Sequence, residues 1–463
     1  MEILQQLQAI VGASHILTDA ESLYSYSYDV LSRKVFLPLA VLLPGSTGEI
    51  SAILRLCNER RIPVTVRGGG TGVSRGAVSS SGGIILSLTR LDRIISINPV
   101  DRTVTAEAGV ITRRIQEAAV AAGLVFPQNI SSAGSSFIGG NIAVSSGSPK
   151  SLKYGPTRQL VRNLEVVLAD GRVMWTGRNV TKDATGFHLT QLFAGSEGSL
   201  GIITKVVLQL TTPVTELLAM VPFSSLDALF DCVYRLFREG CSPSAMEFID
   251  AKGYELVSCF LGREVPASGP VQGLLWIELE GKDSGVMMDE LFAITELIRC
   301  YTDEEISIGQ TRQEMDLLWE MRARTGDAVV AASAFRDIDI AVPRSAIKEM
   351  YAALQSITAH PGMPFTLLGH IGDGNFHINL LQMDTPAAEW EEKVTAVISR
   401  TFEAAVKLGG TISGEHGIGS THLPHLPDAL ASCNLELMKA IKRIFDSNNI
   451  LNPWPSYFFN PKA

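Results

Sequence analysis

Three glycine-dense segments in the first half of the chain most strongly constrain what it can fold into. They are residues 67–74, 138–147 and 195–201, and none has the Rossmann or Walker spacing. Clustered glycines let backbone amides turn toward a bound anion, because no Cβ stands in the way. Since Arg67 opens the first segment, a pyrophosphate would fit there. Taken singly, however, each segment is more often a tight turn than a ligand site.

The pattern of apolar residues around these segments predicts a mixture of strands and helices. Strands are predicted at 63–67, 83–88, 94–97, 103–110, 164–171 and 201–210. Ser46 suits the start of a capped helix, and Asp170–Gly171 suits a hairpin turn. Near Pro213 the glycine-rich texture ends, and helices such as 226–237 alternate with a strand at 274–279. This order predicts an α+β protein with a domain boundary near Pro213.

Length, charge and cysteine usage exclude several classes of protein. A chain of 463 residues exceeds what one hydrophobic core usually serves, so two or three subdomains are expected. A net charge of -9 offers no basic surface for nucleic acid. The six cysteines have no repeated spacing, which argues against disulfide frameworks, zinc knuckles and iron–sulfur clusters, and we expect them to be reduced core residues. No stretch approaches the roughly 20 apolar residues that cross a bilayer, so a cytoplasmic protein is expected.

Longer strings around the glycine segments resemble a known family. They are Ile138-Gly-Gly-Asn141, Leu152-Lys-Tyr-Gly-Pro-Thr-Arg158 with residues 164–171, and residues 192–204. They are similar to the FAD-binding oxidoreductase/transferase type 4 family of vanillyl-alcohol-oxidase fold. The similarity is to the branch that contains D-lactate dehydrogenase, D-2-hydroxyglutarate dehydrogenase and the flavin-binding chain of glycolate oxidase, and it spans nearly the whole sequence.

The resemblance implies three regions and one organic cofactor. Residues 1–214 would form a two-lobed α+β FAD-binding domain, 215–405 an α+β cap domain that binds substrate, and 406–463 a C-terminal helical segment that returns to the flavin site. FAD would be bound noncovalently, because these loops lack the histidine or cysteine that attaches flavin in some members. The residues expected to bind FAD are Arg67, Gly68, Gly69, Gly70, Thr71, Gly72, Ser74, Gly139, Gly140, Asn141, Glu197, Gly198 and Ile203.

The strongest chemical signal is the string Gly369-His-Ile-Gly-Asp-Gly-Asn-Phe-His377. Asp373–Gly374 suits a two-residue hairpin turn, which would place His370 directly opposite His377. Residues opposite each other have Cβ atoms roughly 5 Å apart, so both imidazoles could bind one divalent ion. Alternatively, the two histidines cap strand ends. The spacing and the ligand type favour the metal site.

A carboxylate and an imidazole stand side by side at Glu415 and His416. Neighbouring side chains point apart, so one can bind metal while the other faces substrate. By resemblance to the D-2-hydroxyglutarate dehydrogenase branch, His370, His377 and Glu415 would bind zinc, manganese or iron, and His416 would accept the substrate hydroxyl proton. Alternatively, Glu415 only forms a salt bridge within its loop.

The substrate itself would need a cation and a polar contact. Arg322, in a segment of helical spacing, matches the family's carboxylate-binding arginine, and its guanidinium is a fork-shaped donor. Asn379 lies two residues past His377 on the same strand face and is expected to add a second contact. The resemblance thus implies an FAD-dependent dehydrogenase that oxidises a small D-2-hydroxy acid, of the glycolate or D-lactate type, to the 2-oxo acid.

Without a cysteine cluster, the chain must pass its electrons to another molecule. The candidate acceptors are a quinone, a cytochrome, an electron-transfer flavoprotein or an iron–sulfur subunit. A homodimer and a peripheral position at the inner face of a membrane are both compatible with the sequence.

Three positions depart from the family pattern. Gly326 replaces a hydroxyl residue that accompanies dicarboxylate substrates, His422 replaces a lysine, and Trp454 interrupts the usual Asn-Pro-Gly-Lys ending. Two alternatives stay open, the first because of the altered ending at Trp454 and the second because oxygen access depends on the shape of the pocket. The chain could be a flavin-binding subunit of a membrane-associated, glycolate-oxidase-like complex with little activity alone, or an oxidase that passes electrons directly to oxygen.

Overall fold

A computed structural model describes residues 2–30, 35–79 and 82–453, which form two compact units. Trp454 lies outside the described residues. The first unit comprises Met1–Ser146, Pro156–Pro213 and Glu415–Ala463, and the second comprises Gly147–Gly155 and Val214–Gly414. Besides the short segment Gly147–Gly155, the chain passes between the units after Pro213 and again after Gly414. The corresponding boundaries expected from the sequence are 214 and 405.

The first unit contains two sheets. In the first, Ala40–Leu42, Ile84–Ser87 and Val64–Arg67 are parallel neighbours, and Ile16–Leu17 pairs antiparallel at one edge. The second sheet is antiparallel, with strand order Ile94–Asn98, Thr103–Glu107, Ile202–Gln209, Val161–Val167 and Val173–Trp175. One hydrophobic cluster runs through both sheets, so they share a core.

Helices cover these sheets, and local capping chemistry sets their ends. The side chain of Ser46 accepts a hydrogen bond from the Glu49 amide, which confirms the predicted capped start. The same helix ends at Arg61 in the left-handed conformation. The α-helices of the first unit are Glu2–Val11, Ala20–Ser25, Thr47–Arg60, Thr112–Ala121, Ile138–Val144, Leu189–Phe193, Gly419–His422, Leu426–Ala429 and Ser432–Phe445, with 3-10 turns at Ala13–His15, Thr157–Leu160 and Leu423–His425.

Two local predictions in this unit have opposite outcomes. The hairpin at Asp170–Gly171 is confirmed, since Val167 pairs with Val173 across the turn. Residues 138–147 do not form a glycine-rich loop, because Ile138–Val144 is a short helix. A Cβ on Gly139 would lie 2.6 Å from the Cβ of Ala108, so this glycine allows close helix packing.

The second unit is built on one sheet in which every strand pair is antiparallel. Its order is Ser307–Gly309, Thr215–Phe223, Gly273–Gly281, Ala245–Asp250, Phe365–Gly369, Asn375–Leu381 and Phe335–Ala341. Its helices are Ser151–Tyr154, Leu226–Arg238, Ala251–Leu261, Ser284–Ile298, Arg312–Ala332, Ile347–Ala359 and Ala387–Lys407, with 3-10 turns at Arg344–Ala346 and Ile371–Asp373. The fully buried Trp276 packs in a core cluster with Leu218 and Met321.

Residues Gly147–Gly155 belong to the second unit, although both flanking stretches belong to the first. Their anchor is Lys150, whose Nζ contacts the carboxylates of Glu216, Glu278 and Glu280. Burial alone lowers the pKa of Lys150, but the carboxylates outweigh it and raise the pKa, so the ammonium group stays charged. A cation supplied by the chain therefore already lies among these three carboxylates.

The cysteine prediction is correct only in part. Cys57 and Cys232 are buried, whereas Cys259, Cys300 and Cys433 are exposed. The expectation that all six are core residues is therefore wrong, because these three side chains lie on solvent-facing positions in or next to helices. Of the helices described, none is both long enough and apolar enough to cross a bilayer.

Asp250 provides a test of how burial affects stability in the second unit. It caps the helix Ala251–Leu261 by accepting a hydrogen bond from the Gly253 amide. Burial raises the pKa of Asp250 from 3.8 to about 7, although hydrogen bonds from Gly253 and Leu367 oppose this. Because the folded-state pKa lies above the unfolded one, the protonated group stabilises the fold at low pH, and this stabilisation is lost as pH rises through about 7.

We expect Asp250→Asn to change the pH dependence of stability while keeping the cap, since asparagine also caps helices well. The unfolding temperature of the variant, relative to that of the wild type, should be higher at about pH 8 than at about pH 5. One pKa unit corresponds to about 1.4 kcal/mol, so the effect should be a few kcal/mol at most. Thermal denaturation at both pH values measures it. An equal difference at both values would show that the buried carboxyl group is not the cause.

Candidate functional site

The first predicted cofactor segment follows the strand Val64–Arg67 as a glycine loop. The Arg67 guanidinium donates hydrogen bonds to the carbonyls of Tyr28 and Ala77, at 3.1 and 3.2 Å, so it supports the base of this loop. A Cβ on Gly69 would lie only 2.1 Å from the Ser135 carbonyl oxygen. Gly70 has φ +70°, and a Cβ there would meet the Arg67 side chain. Gly69 is thus required by close packing, and Gly70 by its left-handed backbone conformation.

Gly72 and Gly140 differ from these packed glycines. A Cβ on either would have no heavy atom of the described chain within 4 Å. Both lie in the first unit, in segments that the sequence predicts to contact a dinucleotide. Their backbones therefore leave room for close approach by a ligand, which is how glycine loops bind phosphates. This open space fits the predicted cofactor.

Other predicted cofactor residues are engaged with the protein itself. The Asn141 amide donates to Thr112 Oγ1 at 2.6 Å, and the Ser74 hydroxyl donates to the His416 carbonyl oxygen at 3.0 Å. Gly198 has φ +72°, and a Cβ there would lie 2.5 Å from Val66 Cγ1. Ile203 is buried in the strand Ile202–Gln209. These residues shape the segments around the open space.

Glu197 has a more specific contact than the sequence suggested. Its two carboxylate oxygens accept hydrogen bonds from the amides of Ile418 and Gly419, at 2.9 and 2.8 Å. Burial raises the pKa of Glu197, and the two amide hydrogen bonds offset part of that rise. The carboxylate therefore holds the backbone that closely follows His416.

Asn452 is a structural residue that the sequence reasoning missed. Its amide donates to the carbonyls of Glu197 and Gly76, at 2.6 and 3.0 Å, and its Oδ1 accepts from the Val66 amide at 3.2 Å. It therefore joins three distant segments of the first unit. The only signal in the sequence was its place in the Asn-Pro ending, which by itself specifies no partners.

A buried lysine secures the same region. Lys442 is 1% exposed and donates to the carbonyls of Ser199 and Leu451 and to Asp446 Oδ2, at 2.6 to 2.7 Å. Burial lowers the pKa of Lys442, and the Asp446 carboxylate opposes this shift. Glu197, Asn452 and Lys442 also line a cavity of about 350 Å³ within the first unit, which is the size of a small-molecule site.

In the second unit, the predicted histidine hairpin has a different register. His377 pairs with Leu368 and not with His370. The turn is longer than two residues because Ile371–Asp373 forms a 3-10 turn, in which the Asp373 and Asn375 amides both donate to the His370 carbonyl. The predicted two-residue turn is therefore wrong.

The two imidazoles nevertheless lie side by side. Their ring centroids are 5.4 Å apart and the ring planes are nearly perpendicular, at 86°. Each histidine residue is 8% exposed. The longer turn places His370 at the end of its strand, where its side chain can approach His377 from the neighbouring strand. Two nearly buried imidazoles at this separation fit a site for one divalent ion.

Glu247 is a functional candidate that the sequence reasoning did not identify. It lies in the strand Ala245–Asp250 and its side chain is fully buried. One oxygen lies 2.5 Å from His370 Nδ1, and the other lies 2.7 Å from Nη2 of Arg322. The available signal was an acidic residue inside an apolar strand, which is unusual because an unpaired buried carboxylate is costly.

The predicted substrate residues also lie in this unit. Arg322 is in the middle of the helix Arg312–Ala332, with its side chain 14% exposed. Within the described part of the chain, its buried Nε has no hydrogen-bond partner. Asn379 is 6% exposed and donates to Thr366 Oγ1 at 3.2 Å. A Cβ on Gly326, one turn after Arg322, would meet no atom of the described residues within 4 Å.

Glu415 and His416 begin the last part of the first unit, and both are partly buried. His422, which departs from the family pattern, is 8% exposed at the end of the helix Gly419–His422. The roles predicted for Glu415 as a metal ligand and His416 as a base stay predictions.

Comparison with protein families matches both halves of the chain. Residues 38–177 match the family described as "FAD binding domain", and residues 212–455 match "FAD linked oxidases, C-terminal domain". The glycolate oxidase subunit GlcD of Bacillus subtilis is 34% identical, covering 98% of this chain and 96% of that protein. The D-2-hydroxyglutarate dehydrogenase of Stutzerimonas stutzeri is 32% identical, covering 97% and 98%. The D-lactate dehydrogenase of Anaerostipes hadrus is 31% identical, covering 90% and 89%.

Solved structures show the same fold at lower sequence identity. The 4-ethylphenol oxidase of Gulosibacter chungangensis has a TM-score of 0.79 and 18% identity, covering 98% of this chain and 97% of that one. p-Cresol methylhydroxylase has a TM-score of 0.77 and 17% identity, covering 99% and 96%. The expected α+β architecture is therefore confirmed as the vanillyl-alcohol-oxidase type.

Gly140→Ala tests whether the open face of the helix Ile138–Val144 contacts FAD. Because a Cβ there meets no atom of the described chain within 4 Å and alanine favours helix, the protein should fold as well as the wild type. It should nevertheless lose FAD during gel filtration, which the flavin absorbance per chain measures. Gly269→Ala is the matched control, since a Cβ there also meets none of the described atoms within 4 Å but this glycine lies in the second unit. Full FAD content in the Gly140 variant would contradict this placement of the cofactor.

Proposed function

The chain belongs to the FAD-linked oxidases, and we propose that it is an enzyme that oxidises a small D-2-hydroxy acid to the 2-oxo acid. The observation that carries the proposal is the grouping of His370, His377 and Arg322 in the second unit. Two imidazoles suit a divalent ion and a guanidinium suits a carboxylate, so this set matches the two ends of a 2-hydroxy acid. The names of three relatives include glycolate, D-lactate and D-2-hydroxyglutarate, which supports this substrate class.

The first unit would hold FAD noncovalently. The loop 67–74, the helix Ile138–Val144 and the loop 195–201 would contact it, with the open backbones of Gly72 and Gly140 allowing close approach. When bound, the flavin supplies the acceptor for the hydride of the hydroxyl-bearing carbon. The backbone hydrogen bonds of Glu197 and Asn452 keep the surrounding loops in place.

The second unit would hold a divalent ion through His370 and His377, with Glu415 as the third ligand predicted from the sequence. Zinc, manganese and iron all suit imidazole and carboxylate ligands. When bound, such an ion supplies a Lewis acid that lowers the pKa of the substrate hydroxyl. The buried Glu247 carboxylate next to Nδ1 of His370 supports metal binding by this histidine. Metal-binding histidines commonly donate their other N–H to a carboxylate.

Arg322 would bind the substrate carboxylate, and Asn379 would add a polar contact. The guanidinium pairs with Glu247 through Nη2, and since a guanidinium carries five N–H donors, others can bind a substrate carboxylate. One turn later, Gly326 offers no side-chain donor for a second carboxylate. This favours a small monocarboxylate, of the glycolate or D-lactate type, over a dicarboxylate.

His416 would accept the hydroxyl proton as the hydride leaves the same substrate. A histidine suits this step because its ordinary pKa lies near neutrality. The Ser74 hydroxyl holds the His416 carbonyl, and Glu197 holds the amides of Ile418 and Gly419. These contacts restrain the backbone at His416 and just after it. Electrons would then leave to a quinone, a cytochrome, an electron-transfer flavoprotein or an iron–sulfur subunit.

A second candidate function is a flavin-binding subunit of a glycolate-oxidase-like complex, with little activity alone. The observation that favours it is the name of the Bacillus subtilis relative, which is itself a subunit. The two candidates differ in whether substrate reduces the flavin bound to the isolated chain. An independent enzyme would be reduced, whereas a subunit with little activity alone would not.

The function is tested by mixing the purified, FAD-loaded protein anaerobically with glycolate, D-lactate, L-lactate and D-2-hydroxyglutarate. We expect glycolate or D-lactate to bleach the flavin absorbance fastest, and D-2-hydroxyglutarate to react more slowly because Gly326 offers no second anchor. Stopped-flow absorbance measures the rates. A loaded flavin that none of the acids reduces would contradict an independent enzyme and favour the second candidate function.

Metal removal tests the ligand set separately. We expect about one divalent ion per chain in the wild type, and His377→Ala should lose both the ion and turnover. FAD should be retained, because every predicted flavin residue lies in the first unit and His377 lies in the second. Elemental analysis and flavin absorbance measure the two contents. His360→Ala is the control, since that histidine is exposed in the same unit. Full turnover in a verified metal-free protein would refute a catalytic ion.

A further inference from the structure

Glu247 is a buried carboxylate that contacts the predicted substrate arginine as well as a predicted metal ligand. The strand Ala245–Asp250 pairs with Gly273–Gly281 on one side and with Phe365–Gly369 on the other. Its central position in the sheet leaves Glu247 with no exposed surface. A buried carboxylate is strongly unfavourable unless it is paired and hydrogen-bonded. The partners of Glu247 therefore show what the carboxylate is for.

Each oxygen of Glu247 contacts a different functional group. Oε1 lies 2.5 Å from His370 Nδ1, and Oε2 lies 2.7 Å from Nη2 of Arg322. The first partner follows the end of a neighbouring strand and the second lies on a long helix. One carboxylate thus connects a predicted metal ligand with the predicted anchor of the substrate carboxylate.

The contact with His370 has a chemical consequence. A carboxylate beside Nδ1 favours the neutral imidazole that carries its proton on Nδ1, because only that tautomer can donate to it. The lone pair of Nε2 is then available for a metal ion. The neighbouring Asp339 differs, since it lies 3.8 Å from His377 Nδ1 and its oxygens accept from Asn375 and Ser413.

We propose that Glu247 is a positioning residue that prepares His370 for metal binding and at the same time orients Arg322 toward the substrate carboxylate. The proposal rests on the proposed function, in which His370 binds the ion and Arg322 binds the substrate. Its specific content is that a single carboxylate serves both ends of the substrate site. Metal affinity and substrate affinity should therefore fall together when Glu247 is changed.

Glutamine cannot replace Glu247 at both contacts. If its oxygen faces His370, its NH₂ group faces the Arg322 cation, and two donors meet. If it is turned over, its NH₂ group faces Nδ1 and favours the tautomer with the proton on Nε2, so Nε2 has no lone pair for a metal ion. Aspartate keeps the charge but is one methylene shorter, so it cannot reach both partners in the same position.

The test measures zinc affinity, by competition with a chromophoric chelator, in the FAD-loaded wild type, E247Q and E247D. We expect both variants to keep FAD and to bind zinc roughly tenfold to hundredfold more weakly, the usual loss when a partner behind a metal-binding histidine is removed. The KM for glycolate or D-lactate, measured with zinc saturating, should also rise in both variants, because Arg322 has lost its fixed partner. E247D serves if E247Q does not fold, since it keeps a negative charge on this strand.

E278Q is the matched control. Glu278 is a buried carboxylate on the neighbouring strand that is also paired with a cation, Lys150, but it contacts none of the predicted ligands. The E278Q substitution should lower thermal stability while leaving zinc affinity and KM unchanged. If E247D folds and matches the wild type in zinc affinity and KM, the positioning role is overturned while the proposed function stands. If the wild type itself binds no zinc, manganese or iron, the metal site of the proposed function fails, and the role of Glu247 fails with it.

Discussion

The pairing of buried charge is the physical constraint on which the second unit depends. Glu247 has no exposed surface, and it is compensated by Arg322 at 2.7 Å and by the imidazole of His370 at 2.5 Å. Because an uncompensated carboxylate in this sheet would be strongly unfavourable, the helix that carries Arg322 and the turn that carries His370 must both meet the same strand. The energetic requirement of the core therefore also brings together the groups proposed to bind the ion and the substrate.

The first unit meets the same constraint with backbone groups. Glu197 is compensated by two amides of the segment after His416, and Lys442 by two carbonyls and Asp446. Asn452 links three further backbone groups. These contacts join a C-terminal segment to loops that lie far from it in sequence, and they do so next to the residues expected to bind FAD. Buried polar contacts, rather than one continuous stretch of chain, position this part of the site.

Short-range chemistry explains which predictions agree with the structure. The capped start at Ser46 and the hairpin at Asp170–Gly171 depend on residues a few positions apart, and both are present. The two-residue turn predicted between His370 and His377 is absent, because Ile371–Asp373 forms a 3-10 turn. Residues distant in sequence contact this turn. Arg344 donates to the Gly372 carbonyl and Asn375 donates to Asp339, contacts that a turn motif does not specify. The helix Ile138–Val144 likewise depends on close packing against Ala108.

The sequence by itself determined the α+β class, the glycine segments, the family and the two histidines as candidate ligands, because each depends on residue type and local spacing. Only the tertiary structure decided which buried groups contact the candidate ligands and the glycine segments. Glu247 meets His370 across 123 positions of sequence, and Glu197 meets Ile418 across 221. The first contact follows from strand order, which places Ala245–Asp250 beside Phe365–Gly369, and strand order is a property of the packed sheet. A carboxylate inside an apolar strand shows that a partner must exist, but only the fold identifies that partner.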